Sequence, residues 1–212
     1  TKDVVVEAKL PATPITVWFR SDKSGSTGIL TNWLTKLDPS VWTKAGSAGQ
    51  QTFTSAFPGA ALPAGTFQGA SGSDGVANGV ASKDGSIGYA ETSYGTERKL
   101  ILASVKNNNG EFVQPTATAT AAFINGFTVG DKGTITVDYT KKIKGSYTLA
   151  GYTYAMVYTF VASKDKTKQA AVKNFLNYVL NDCAKKNAAR LGYAPLTGAL
   201  KDLAVNQVML IE

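Results

Sequence analysis

Short β-branched and aromatic runs alternate along this chain with stretches whose apolar residues recur at helical spacing. Residues 15–19 (ITVWF) follow Pro11 and Pro14 and predict a buried strand. Ile29, Leu30, Trp33, Leu34 and Leu37 then predict a helix, closed by Asp38 and Pro39. Residues 43–73 are rich in Gly, Ser, Ala and Thr and predict a long, irregular surface segment. Asp74 is the expected cap of a short helix with Val76, Ala77 and Val80 on one face. Residues 86–91 (SIGYAE) predict a second buried strand.

Residues 100–106 and 111–113 flank Asn107-Asn108-Asn109-Gly110, a hairpin signal. Residues 116–124 predict a helix despite their threonines, and residues 134–139 and 152–160 predict strands. The clearest helix spans about residues 165–189. There Val172, Phe175, Leu176, Val179, Leu180 and Cys183 share one face, and Gly192 supplies a left-handed end. Cys183 thus reads as a core residue. A final helix starts at Gly198 and carries Leu200, Leu203, Ala204, Val208 and Ile211. Strands alternating with helices predict an α/β sheet with helical cover. No internal repeat is evident.

The 212 residues allow one or two domains with a sizeable core, and 43% apolar against 17% charged residues is a globular balance. The chain has no histidine and a single cysteine, Cys183. Ser-His-Asp and Cys-His catalysis, His- or Cys-rich zinc sites and an internal disulfide are therefore excluded. The net charge of +7 fits an anionic ligand, an acidic surface or nucleic acid. The lysines are dispersed, however, and aromatics do not interleave with them on one face, which argues against nucleic acid. The densest run, Lys141, Lys142 and Lys144, adjoins Gly145 and reads as a solvated turn. The sequence shows neither a membrane span nor a signal peptide; an exported form would have lost its leader.

One stretch carries candidate chemistry. FRSDKSGSTG, residues 19–28, joins a predicted strand to a helix start through an arginine, an aspartate and several hydroxyls. The first amides of a helix lack internal partners, and the dipole there favours negative charge. Ser24, Ser26 and Thr27 add hydroxyls, and Arg20 adds a fork of charged donors that Asp22 can orient. The same residues also make an ordinary cap and turn. The stretch is neither a Walker A loop nor a nucleophile elbow.

PITVWFRSDKSGSTGILTNWL resembles the phosphate-contacting segment of the periplasmic phosphate-binding proteins, the substrate-binding subunits of phosphate ABC transporters. Their usual form is close to R-[SA]-D-x-S-G-T. GSDGVANGVASKDGSIGYAETSYG resembles that family's helix, turn and IGY strand, and NNNGEFVQPTATATAAF its hairpin and helix. YTYAMVYTF, the long helix and LGYAPLTGALKDLA resemble its C-terminal part, so the likeness runs along nearly the whole chain. It implies a type II-like binding-protein fold, with two lobes of mixed sheets covered by helices and the first lobe incomplete. Residues 1–150 would form the second lobe, and residues 151–212 the returning half of the first.

The resemblance implies phosphate binding by Arg20, by Asp22 as its partner, and by Ser24, Gly25 and Ser26 at the helix start. Ser26 replaces the more usual threonine and keeps the hydroxyl, and Lys23 stands where a small residue is common. Family members have a further N-terminal portion, with an aspartate that accepts a hydrogen bond from protonated phosphate; this sequence lacks its counterpart. A fragment, or a chain working with a separate piece, is the expectation, beside the alternative of a natural variant that abandoned phosphate, with apolar surface exposed on the helix of Val172 and Cys183 or near Tyr154 and Tyr158.

The implied function is non-covalent phosphate binding for delivery to a membrane permease, in the periplasm or outside the cell, without cofactor or metal. Two alternatives stand beside it. One is a surface interaction module without small ligand. The other is a phosphomonoesterase using Ser24 or Ser26, which the absence of histidine and of a carboxylate cluster disfavours.

Overall fold

The computed structural model describes residues 11–127, 129–130, 133–158 and 165–211. Its centre is a parallel sheet of three strands in the order β2-β1-β3: β1 Thr16–Arg20, β2 Phe67–Ala70 and β3 Ser86–Gly88. β1 pairs on both sides, with Val17 opposite Phe67 and Arg20 opposite Ala70, and with Thr16 opposite Ser86. Successive strand side chains face opposite ways. Phe19 therefore points to one face, where its ring stacks on Phe53 at 4.8 Å. Trp18 points to the other face, against α3 (Gly72–Ala81).

Helix α1 (Gly25–Leu37) leaves the end of β1. Ser24 is its cap, with extended backbone and an Oγ that accepts the Thr27 N–H at 3.3 Å. Asp38 ends it, as the Asp-Pro pair predicts. The far side of α1 packs with α5 (Ala117–Ile124) over a second core of Trp33, Phe123, Ile124, Phe127, Tyr139 and Ala150. The buried Trp33 Nε1 is satisfied by donating to Thr148 Oγ1 at 3.1 Å. Thr116 caps α5 through its hydroxyl, as a threonine before a helix can.

Several expectations are corrected. The segment 43–73 is not an irregular surface loop: it contains α2 (Phe53–Ala56) and β2, and buries Ser47, Phe53 and Ala56. Its Gly- and Ser-rich composition hides three aromatics, Phe53, Phe57 and Phe67, and Phe53 is the one against which Phe19, Phe67 and Tyr89 all pack. Ser71, not Asp74, holds the cap position of α3; Asp74 lies in the first turn and pairs with Arg98. β3 is a short edge strand rather than a buried one, and Ile87 is 52% exposed. The hairpin forms around Gly110, but β4 (Val105–Lys106) and β5 (Phe112–Val113) have only two residues each.

Residues 134–139 do not form a strand. Ile135 makes one isolated bridge to Val129, and Val137 packs sideways on the second core. A single bridge, with the Gly130 N–H donating to the Thr134 carbonyl at 2.8 Å, is too short a ladder to make a strand. Residues 152–158 are likewise not a strand, and residues 159–160 of that expected strand lie outside the described ones.

The long helix forms as α6 (Lys166–Tyr178), a π-helical turn (Val179–Cys183) and α7 (Ala184–Asn187), and Gly192 ends it in the left-handed region at φ 79°. Cys183 lies in the π turn and is half-buried, not a core residue. Helix α8 (Gly198–Met209) packs beside α6 and buries Leu200 and Val208. The expected apolar surface is present: Met156 is 95% exposed, Tyr158 74% and Phe175 63%. No helix among the described residues is long and apolar enough to cross a membrane.

Candidate functional site

In an open parallel sheet, ligand sites form beyond the carboxyl ends of the strands. Here all three strands send polar residues to that edge. β1 ends at Arg20 and runs into the loop of Asp22, Ser24 and α1; β2 leads to Gly72 and Ser73; β3 leads to Tyr89 and Glu91.

Arg20 is fixed from two sides. Its Nε donates to Asp22 Oδ1 at 2.8 Å and its Nη2 to Asp22 Oδ2 at 2.5 Å, a bidentate pair. Its Nη1 donates to Ser73 Oγ at 3.1 Å. A guanidinium has five N–H donors. These three bonds leave two donors, one on each Nη, without a partner among the described residues. The hydrogen bonds to Asp22 raise the Arg20 pKa against the cost of burial. Asp22 is held well below the ordinary carboxylate range by the Arg20 hydrogen bonds and then by the Gly72 N–H, which donates to Oδ1 at 3.1 Å.

At the helix start, Ser24 Oγ is occupied as the cap, so its hydroxyl serves α1 first. The Gly25 and Ser26 N–H groups open α1 and have no partner among the described residues. Ser26 Oγ donates to Glu91 Oε1 at 2.8 Å. Tyr89 ties the two pieces together: its hydroxyl accepts the Arg20 N–H at 3.1 Å and lies 2.6 Å from Thr27 Oγ1. Burial raises the Tyr89 pKa, so it stays a neutral phenol.

Glu91 is the unexpected member. Burial pushes its pKa up, but hydrogen bonds from Ser73 and Ser26 and the charge of Arg20 bring the balance below the ordinary value. Its Oε2 is shielded from solvent. Glu91 therefore sits ionised within the cluster, beside the cationic fork.

The five residues expected from sequence thus fall at one edge of the sheet, on β1, its loop and the first turn of α1. Three further residues join them: Ser73, Tyr89 and Glu91. They lie in the stretches GSDG and IGYAE, whose family likeness was visible but whose place beside Arg20 was not. An open groove of about 430 Å³ meets this cluster at Gly25, passing Ile29 and Asn32 of α1 and Ile135 and Val137. Among the described residues no group of three or more His, Cys, Asp or Glu side chains is placed to hold a metal ion.

This arrangement can bind a tetrahedral oxyanion. Two guanidinium donors and two helix-start amides form one rim, and small side chains leave the backbone open. The Ser26 hydroxyl donates to the charged Glu91 carboxylate at 2.8 Å, which fixes its orientation beside the helix start.

The profile of a PBP superfamily domain matches residues 2–182. The chain is 30% identical over 213 aligned positions to the phosphate-binding protein PstS of Methanocaldococcus jannaschii, covering 96% of this chain and 53% of that one. It is 31% identical over 190 positions to PstS of Pasteurella multocida, covering 89% of this chain and 51% of that one. Among solved structures, a high-affinity periplasmic phosphate-binding protein bound with phosphate superposes with a TM-score of 0.66 at 24% identity, over 90% of this chain and 56% of the other. That likeness bears out the α/β binding-protein fold. The chain spans about half the length of the curated relatives it matches.

Proposed function

The chain belongs to the PBP superfamily, and from that premise we propose that it binds inorganic phosphate without changing it, for delivery to a membrane ABC permease from the periplasm or the cell exterior. The observation that carries this reading is the Arg20 fork. Asp22 and Ser73 hold it rigidly, and it keeps two unused donors at the same sheet edge as the free Gly25 and Ser26 amides. An anion meeting such a pre-ordered rim loses little binding energy to reorganisation.

On this reading Arg20, Gly25 and Ser26 touch the anion directly. Asp22 orients Arg20, and Ser24 fixes the helix start that presents the amides. Residues 1–150 correspond to the lobe that carries the cradle, and residues 151–212 to the returning part of the other lobe. The names of the relatives support phosphate over other oxyanions.

Titration of phosphate by calorimetry into the wild-type chain and into Arg20→Ala tests the proposal. Saturable binding that Arg20→Ala abolishes is the expected result. No heat of binding in the wild type, or equal binding by both proteins, would sink it.

A further inference from the structure

The Ser26 hydroxyl cannot offer its proton to Glu91 and to a bound anion at once. Its Oγ lies 2.8 Å from Glu91 Oε1. An ionised carboxylate only accepts hydrogen bonds, so Ser26 is the donor in this pair. With its single proton committed, the half-buried Ser26 presents only lone pairs on its remaining side. Ser73 is in a related position. It accepts from Arg20 Nη1, so its own proton is free for Glu91, which it also helps keep charged. Glu91 thus takes the Ser26 proton from α1, while Ser73 on α3 helps to hold its pKa down.

We propose that Glu91 is a specificity-determining residue of this site: by taking the Ser26 proton it makes Ser26 Oγ a hydrogen-bond acceptor, which favours an oxyanion that carries a proton over one that is fully ionised. The inference rests on the phosphate reading above and deepens it. Monobasic and dibasic phosphate both carry a P–OH that can donate to Ser26. Sulfate has no proton to give, so its oxygen would face the Ser26 lone pairs without a hydrogen bond, and such a mismatch is strongly penalised at a partly dehydrated site. For monobasic phosphate, with one negative charge against the two of sulfate, charge points the same way. The single positive charge of Arg20 already faces two carboxylates, Asp22 and Glu91. The amides of α1 and the two guanidinium donors remain for the anion's other oxygens.

The test is competition between phosphate and sulfate, by calorimetry, on the wild type, Glu91→Gln and Ser26→Ala. In Glu91→Gln the side-chain amide can donate to Ser26, which frees the Ser26 proton for any oxyanion. The phosphate-to-sulfate affinity ratio should fall about ten-fold, mainly through tighter sulfate binding. In Ser26→Ala phosphate should weaken while sulfate does not. A lost donor would instead weaken both anions by the same factor, and that result would overturn the proposal. So would a ratio in Glu91→Gln within roughly two-fold of wild type. If Glu91→Gln fails to fold, Ser26→Ala alone decides the matter. If the wild type binds no phosphate, the phosphate reading itself fails, an outcome distinct from phosphate binding with an unchanged ratio.

Discussion

Arg20 and Asp22, two residues apart, meet through both carboxylate oxygens, with Nε 2.8 Å from Oδ1 and Nη2 2.5 Å from Oδ2. The pair sits where the central strand ends and the loop into α1 begins. Such a bidentate contact fixes the plane of the guanidinium as well as its place. Asp22 also accepts the Gly72 N–H, so the same carboxylate ties β1 to the start of α3. These contacts hold the guanidinium in one plane at the end of β1.

Arg20→Lys keeps the charge and loses the fork. Lysine cannot hold both Asp22 oxygens while offering two parallel donors. Phosphate binding should weaken by roughly ten-fold or more, and Arg20→Ala by at least about 3 kcal/mol, or more than 100-fold. Calorimetric dissociation constants for the two variants check the order.

Acid should loosen the same pair. The folded pKa of Asp22 lies well below its ordinary value of 3.8. A depressed carboxylate stabilises the fold above the unfolded pKa, and that contribution fades as pH falls towards the folded value. Thermal unfolding without ligand should therefore show a Tm that drops below about pH 4. Asp22→Asn should show a lower Tm at neutral pH and a shallower drop, and parallel curves for the two proteins would contradict the assignment.

Phe53 supports the site from beneath. It is 4% exposed, stacks on Phe19 at 4.8 Å, and lies 6.2 Å from the ring of Tyr89. Tyr89 in turn holds the Arg20 N–H. Phe53→Ala should cost about 3–5 kcal/mol of stability. It should also weaken phosphate binding, although Phe53 lies in the core beneath the cradle. Denaturant unfolding and calorimetry on one preparation measure both effects.

Gly79 sits inside α3, where alanine is ordinarily worth about 1 kcal/mol more than glycine. A Cβ at this position would lie 2.4 Å from the Trp18 ring, which is held by a hydrogen bond from its Nε1 to Ser86 Oγ at 3.2 Å. The clash should outweigh propensity, so Gly79→Ala is expected to destabilise by about 1–3 kcal/mol. A raised Tm would show that Trp18 can move aside freely.

What the sequence determined by itself is local. The apolar spacing of α1, the proline after Asp38 and the Arg20–Asp22 pair all join residues within a few positions, and all were legible. So was the strand-to-helix junction, because the loop and the helix start belong to one continuous stretch. Longer-range features were not. The expected strand at 134–139 is reduced to one bridge between Ile135 and Val129, and no periodicity records how far such a pairing extends. β2 and α2 were missed because their small residues give no pattern, and their order comes from packing on Phe53.

The tertiary structure alone decided who surrounds Arg20. Ser73 lies 53 residues from it and Tyr89 lies 69, while Glu91 lies 65 residues from Ser26. Parallel pairing of β2 and β3 on either side of β1 brings those distant positions to a single edge. Hydrogen bonding between strands, not spacing along the chain, placed the Glu91 carboxylate beside Ser26 and the Arg20 fork.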